Sequence, residues 1–230
     1  MLAYHNDPQL KQQILEQLQG SGWNVFIEDY KNGLGIPKTL IYLHDAISRG
    51  LPNYLAKNWP IRFISSIQVG ADLSYVWADF AVWLLVDPVD GVIQYTNPGT
   101  EVHEIIIKIA NLYQHGYTAQ QMRNAGFAAA RAASTAYISS ATDAGYIATS
   151  VAATGYAYAG AHAARKYSAY VGAHAARKYS AYVGAHAACD NENNDIYKNS
   201  RNIAYIKMAN KLIELLKNSD ITRTENVSLP

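Results

Sequence analysis

An all-α fold follows from three observations on this 230-residue chain. Apolar residues in the first half recur at i, i+3, i+4 and i+7 spacing, which places them on helix faces. Residues 118–188 hold 26 alanines in 71 positions, and alanine has the highest intrinsic helix propensity. A last apolar series, from Ile196 to Lys217, again has helical spacing. The expected architecture is an N-terminal helical domain (1–116) and an Ala/Tyr-rich antiparallel helical hairpin or bundle (117–188). A polar linker (189–195), a C-terminal amphipathic helix (196–218) and a disordered tail (219–230) complete it.

The first helix is expected after Asp7 as N-cap and Pro8 at the first helical position, with Leu10, Ile14, Leu15 and Leu18 on one face before Gly20. Gly22–Asn32 is irregular, and Val25–Ile27 could form a short extended piece. Pro37 opens a helix through Leu40, Leu43, Ala46 and Ile47 that ends near Gly50. Asn53 starts another stretch, which restarts at Pro60 and buries Phe63, Ile64 and Ile67. Asp72 is the expected cap of the most hydrophobic helix, carrying Val76, Trp77, Phe80, Trp83 and Leu84 and ended by Asp87-Pro88. Val92–Tyr95 reads as extended between two turns, and Thr100 caps a helix through Ile105, Ile106, Ile109 and Leu112 to Gly116.

Beyond Gly116 the packing chemistry changes, because no leucine occurs between Leu112 and Leu212. Small side chains let helices approach toward the short end of the ~8–10 Å interaxial range. Tyrosines are the residues available to fill the gaps, and Gly145, Gly155 and Gly160 are the candidate breaks. Within this segment Ala161–Gly172 is repeated without change as Ala173–Gly184, and a third copy begins at Ala185 and stops at Cys189. Twelve residues advance a helix by three turns plus about 120°. His162, His174 and His186 would therefore point in three directions on one helix, so the repeat is neither a metal-ligand row nor a continuous stripe. A protruding hairpin tip is the place where such added length is best tolerated.

Composition narrows the functional classes. Cys189 is the single cysteine, which excludes a disulfide framework or a multi-cysteine metal site. The N-terminus lacks a secretory apolar core, and no run approaches the ~18–20 apolar residues of a spanning helix. The expectation is a cytoplasmic protein that makes no use of a membrane and needs no cofactor. The net charge of +1 hides an asymmetry: residues 1–117 balance at −4, and residues 118–188 at +5. The two parts can attract one another or present different faces to partners.

Candidate chemistry is sparse. His5, His44, Asp45 and Asp79 follow the order of a metal-dependent HD-type phosphohydrolase, in which such residues hold a cation that activates water. The alternative for His44-Asp45 is a polar pair at the exposed edge of its helix. His103-Glu104 has Ile107 where a zinc helix needs its second histidine, and Gly33-Leu-Gly35 lacks the rest of a phosphate loop. Trp59, Trp77 and Trp83 read as core. The Ala/Tyr segment supplies the candidate binding residues Tyr158, Arg165, Tyr167, Tyr170, Arg177 and Tyr179. Interleaved cations and aromatics can also stack bases and bind phosphates, although six cations in 71 residues is sparse for nucleic acid.

Several segments, Leu2–Pro8, Leu34–Pro37, Gly50–Asn53, Trp59-Pro60, Val69–Leu73, Trp83–Pro88 and Gly91–Ile93, together with Met208–Leu216, carry a resemblance. They resemble a family of uncharacterised bacterial and prophage-borne all-helical proteins with an alanine-rich C-terminal half. The resemblance implies the helical fold and no particular activity. The chain departs from it between Trp23 and Gly33, where relatives have a longer segment with cysteines and a histidine. The alanine-rich half more loosely resembles bacterial immunity proteins, which act by binding a toxin. The resulting expectation is a non-enzymatic helical protein that binds another protein in an immunity- or phage-related setting. Self-association is a further option, and the phosphohydrolase and the nucleic-acid binder are the alternatives.

Overall fold

The computed structural model of the chain describes residues 9, 12, 16, 35–136, 139–159, 179 and 194–219. All of its regular structure among these residues is helical. Gln9, Gln12 and Glu16 are helical, and Gln12 Nε2 donates to Glu16 Oε1 at 2.9 Å. The rest of the expected first helix, the Val25–Ile27 segment and the tail from residue 220 lie outside the described residues.

Helix α1 (Lys38–Gly50) starts where Pro37 fixes φ at −53°, and the Pro37 carbonyl accepts from the amides of Leu40 and Ile41. Leu40, Leu43, Ala46 and Ile47 are buried as the spacing requires. A Cβ on Gly50 would lie 2.1 Å from the Tyr205 ring, so only glycine lets that ring lie against the end of α1. Two short helices follow, α2 (Asn53–Ala56) and α3 (Trp59–Ser66). Pro60 sits in the first turn of α3, where its missing amide would have had no helical partner.

Helix α4 (Val76–Val86) begins four residues after Asp72, so Asp72 is not its cap. The Asp72 carboxylate instead accepts from the Ser74 amide at 2.9 Å, a local turn that competes with helix initiation. Buried side chains cover more than half of the circumference of α4, among them Val76, Trp77, Phe80, Ala81, Trp83, Leu84 and Leu85. Such a helix needs neighbours on several sides. Pro88 disfavours a helical Asp87, which takes φ −57° and ψ 130° and ends α4. Val92–Tyr95 forms a short 3-10 helix rather than an extended piece. With no strand among the described residues to pair with, extended backbone would leave its polar groups unpaired. Gln94 Nε2 donates to the carbonyls of Val89 and Gly91, and Thr96 Oγ1 donates to that of Ile93.

Helix α5 (Glu101–His115) has the expected Thr100 cap, whose hydroxyl accepts from the His103 amide, and stops at Gly116 with φ +88°. Helix α6 (Ala119–Thr135) opens on a reciprocal cap: Thr118 Oγ1 accepts from the Gln121 amide, and the Gln121 side chain accepts from the Thr118 amide. Helix α7 (Ser139–Ala159) runs straight through Gly145 and Gly155. These glycines are contact points and not breaks. A Cβ on Gly145 would lie 2.7 Å from that of Ala133, one on Gly126 3.3 Å from that of Ala152, and one on Gly155 2.9 Å from Met122. The pairing order, 122 with 155, 126 with 152 and 133 with 145, makes α6 and α7 antiparallel. The closely packed antiparallel pair expected from the alanines is therefore present.

Among the described residues, one filler at this interface comes from outside the Ala/Tyr segment. Tyr113 of α5 donates to the Val151 carbonyl at 2.8 Å and accepts from Trp77 Nε1 at 3.1 Å. Its hydroxyl occupies the place a Cβ on Gly155 would need. Burial, with Tyr117 adding to it, raises the Tyr113 pKa well above the usual tyrosine value and keeps the phenol a donor. Along α7 the hydroxyls of Thr149, Ser150 and Thr154 each bond the carbonyl four residues back, which satisfies polar groups inside a crowded helix.

Helix α8 (Asn194–Lys217) returns to the N-terminal helices and packs on α1, α3 and α4 through Tyr205, Met208, Leu212 and Leu216. Ile203, within the apolar series read from Ile196 to Lys217, is 44% exposed. Gln68 Nε2 bonds the Lys217 carbonyl at the end of α8. One continuous apolar cluster includes residues of α1, α3 to α8 and the 3-10 helix. Among the described residues α6 and α7 lie against α5, and the apolar cluster runs across residue 116.

Candidate functional site

The sequence-selected residues fall into two environments. His44 lies inside the molecule and not at an exposed edge. Its ring stacks on Trp59 with centroids 5.6 Å apart and lies 4.6 Å from that of Phe63. The backbone carbonyl of His44 accepts from Trp59 Nε1 at 3.1 Å. Desolvation lowers the His44 pKa from 6.5 to about 3, so the imidazole is neutral over the ordinary range. Asp45, one residue on, points outward and pairs with Arg49 at 3.0 Å, while Asp79 is on the exposed side of α4. Among the described residues no three His, Cys, Asp or Glu side chains form a metal-holding group. His5 lies outside the described residues. Trp59, Trp77 and Trp83 are buried, as their reading as core requires. His103, the false start of a zinc helix, has its Nδ1 2.9 Å from Thr96 Oγ1.

Tyr179, one of the candidate binding residues, is a packing residue. It is 2% exposed and lies edge-on to Trp83, with ring centroids 6.3 Å apart. Its hydroxyl donates to the Asp90 backbone carbonyl. Burial raises its pKa, and the neighbouring Tyr95, Asp90 and Asp87 add to the effect. The loop that receives it is tightly organised. The Asp87 carboxylate accepts from the amides of Val89 and Asp90, Asp90 pairs with Lys207 of α8, and Gly91 leaves no room for a Cβ beside the Asp87 backbone. This slot ties the second repeat copy, α4 and α8 to one point. Tyr158 is helical at the end of α7; Arg165, Tyr167, Tyr170 and Arg177 lie outside the described residues.

A third environment was not selected from sequence. The outer side of α6 presents Phe127, which is 65% exposed. The Arg123 guanidinium lies 5.5 Å from the centroid of the Phe127 ring and 5.9 Å from that of Tyr156 on α7. Attraction between the cation and the two ring faces holds a mobile side chain in one region. Among the described residues no carboxylate pairs with Arg123, whereas Arg131, two turns along α6, is paired with Glu101 of α5. The spacing contains the signal: at 100° per residue, Phe127 stands about 200° from Ala125 on the inward face.

Compared with protein-family models, with curated proteins and with solved structures, the chain has no match. The family resemblance rests on the residues quoted for it. No helix among the described residues is long and apolar enough to cross a membrane.

Proposed function

We propose that the protein is a non-enzymatic binding protein that recognises another protein through the outer side of the α6–α7 pair. The observation carrying this reading is the exposed Phe127 with Arg123 placed between it and Tyr156. Single exposed apolar residues are ordinary. An aromatic pair holding an arginine is different, since tyrosine and arginine lead the residues that dominate binding energy at interfaces. Pre-positioning the guanidinium also reduces the entropy lost when it engages a partner. The resemblance to immunity proteins makes a protein toxin the first partner to try.

The test is capture from the source cell with wild-type, Phe127→Ala and Arg123→Ala proteins, each with and without nuclease treatment. The proposal predicts a protein partner whose recovery survives nuclease and falls about 10-fold or more with either variant, the equivalent of 1.4 kcal/mol or more. Recovery of RNA or DNA and no protein would overturn it, as would equal capture by all three.

A further inference from the structure

Gly160–Ala176 and Gly172–Ala188 are the same sequence, so Tyr167 and Tyr179 share every neighbour from seven residues before to nine after. The walls of the slot, Trp83 and the Asp90 loop with Lys207, recognise a phenol ring and its hydroxyl. Nothing in that chemistry distinguishes the two tyrosines. Only the length of connecting chain differs between them.

The reach is sufficient. Gly155 of α7 lies close to the Trp77 side chain of α4, since the Tyr113 hydroxyl is beside both. Ala159 lies about 6 Å beyond Gly155 along its helix, and Trp83 about 9 Å beyond Trp77 along α4. Even if these displacements are in opposite directions, adding a lateral step of about one helix diameter (~10 Å) leaves about 18 Å to cover. Tyr167 is eight residues from Ala159, and eight extended residues span up to ~26 Å. On the other side, the 27 residues from Tyr167 to Asn194 exceed any such span, and the entropy of closing a loop changes slowly with its length.

We propose that the slot formed by Trp83 and the Asp90 loop accepts either Tyr167 or Tyr179, so that the tandem repeat gives the chain two registers for one docking event. The repeat then acts as a length adjuster. The contact is kept while twelve residues move from one side of it to the other. Deleting either copy produces the same shortened protein, and that protein retains a tyrosine able to fill the slot.

The test places a photo-crosslinking benzoylphenylalanine at Val89, an exposed position beside Asp90, in the full-length chain. Trypsin cleavage after Lys166, Arg177, Lys178 and Lys198 separates the peptide 167–177 from the peptide 179–198, and mass spectrometry tells them apart. In the Tyr179→Ala protein, crosslinking is expected to move to peptide 167–177. Tyr167→Ala/Tyr179→Ala should label neither peptide and should lower the urea midpoint by more than the two single variants combined. A chain lacking residues 173–184 should still crosslink through its remaining tyrosine. Failure of Tyr179→Ala to fold or to label 167–177, with a midpoint equal to that of the double variant, would overturn the proposal. So would loss of the crosslink in the shortened chain.

Discussion

The α6–α7 pair and the layer built from α1, α3, α4 and α8 both exclude water, but by opposite means. In the layer, Trp59, Phe63, Phe80, Trp83 and Tyr205 fill space with rings. In the pair, Ala125, Ala129, Ala132, Ala133, Ala144, Gly145, Ala148 and Ala152 let two backbones approach, and Met122 together with Tyr113, which enters from α5, fills the space beside Gly155. A ring-filled layer is vulnerable to making residues smaller, and a backbone-to-backbone interface to making them larger. The pair's outer side carries the exposed Phe127 and Arg123, with the half-buried Tyr156 beside them, where a partner can meet them.

The largest expected effect is in the layer. Phe80→Ala should destabilise the protein by about 3–5 kcal/mol in urea unfolding, through lost transfer energy and a cavity. Ala129→Gly, a truncation in the pair, should cost about 1 kcal/mol, mostly helix propensity. Equal losses at the two sites would break the contrast.

The second effect is a pH dependence confined to the layer. His44 has a folded-state pKa lowered from 6.5 to about 3, so the unfolded chain binds a proton that the folded chain refuses. The stability tied to the neutral ring is complete above pH 6.5 and is lost as pH falls through 6.5 toward 3. The slope is at most about 1.4 kcal/mol per pH unit, or about 2 kcal/mol by pH 5. Urea midpoints between pH 7 and 5 should fall in the wild type and flatten in His44→Met; parallel curves would remove His44 as the cause.

Third, Gly145→Ala should destabilise by about 1 kcal/mol. The helix-propensity gain of about 1 kcal/mol is outweighed by an overpacking cost of about 1–3 kcal/mol, because the added carbon would sit 2.7 Å from Ala133 Cβ and 3.1 Å from its Cα. Gly126→Ala, facing Ala152 at 3.3 Å, should come out near neutral, so a pair of thermal melts reads the closeness of the two backbones directly. The smallest stability effect belongs to Phe127→Ala, within about 0.5 kcal/mol as for other exposed positions.

Much of the fold was legible in the sequence where local chemistry decides it. Pro37, Thr100, Gly116 and Asp87-Pro88 bound helices because a fixed φ, a side-chain cap, a positive φ or a pre-proline restriction acts within a few residues. The reciprocal Thr118–Gln121 cap was legible and went unread. Asp72 misled because an aspartate serves a local turn as readily as a helix start. Gly145 and Gly155 misled because a glycine that breaks a helix and one that admits a neighbour have the same letter; the difference lies in Ala133, Met122 and Tyr113, far away in sequence. His44 could not be placed from its own helix, since Trp59 and Phe63 bury it from another. The site was less legible still. Tyr179 was selected as a surface residue and is held inside by Trp83 and Asp90, whereas Phe127 was passed over among alanines although its angular position already set it on the outer face.

The inner face of α6–α7 holds the fold, and its outer face is the proposed binding surface. One crossed measurement tests that separation: thermal midpoint and partner affinity, determined together for Gly145→Ala and Phe127→Ala at a temperature where both are folded. The predicted result is a lowered midpoint with unchanged affinity for Gly145→Ala, and an unchanged midpoint with affinity reduced about 10-fold or more for Phe127→Ala. If Phe127→Ala binds as the wild type does, or loses binding only in proportion to a lost fold, the outer face is not the binding surface.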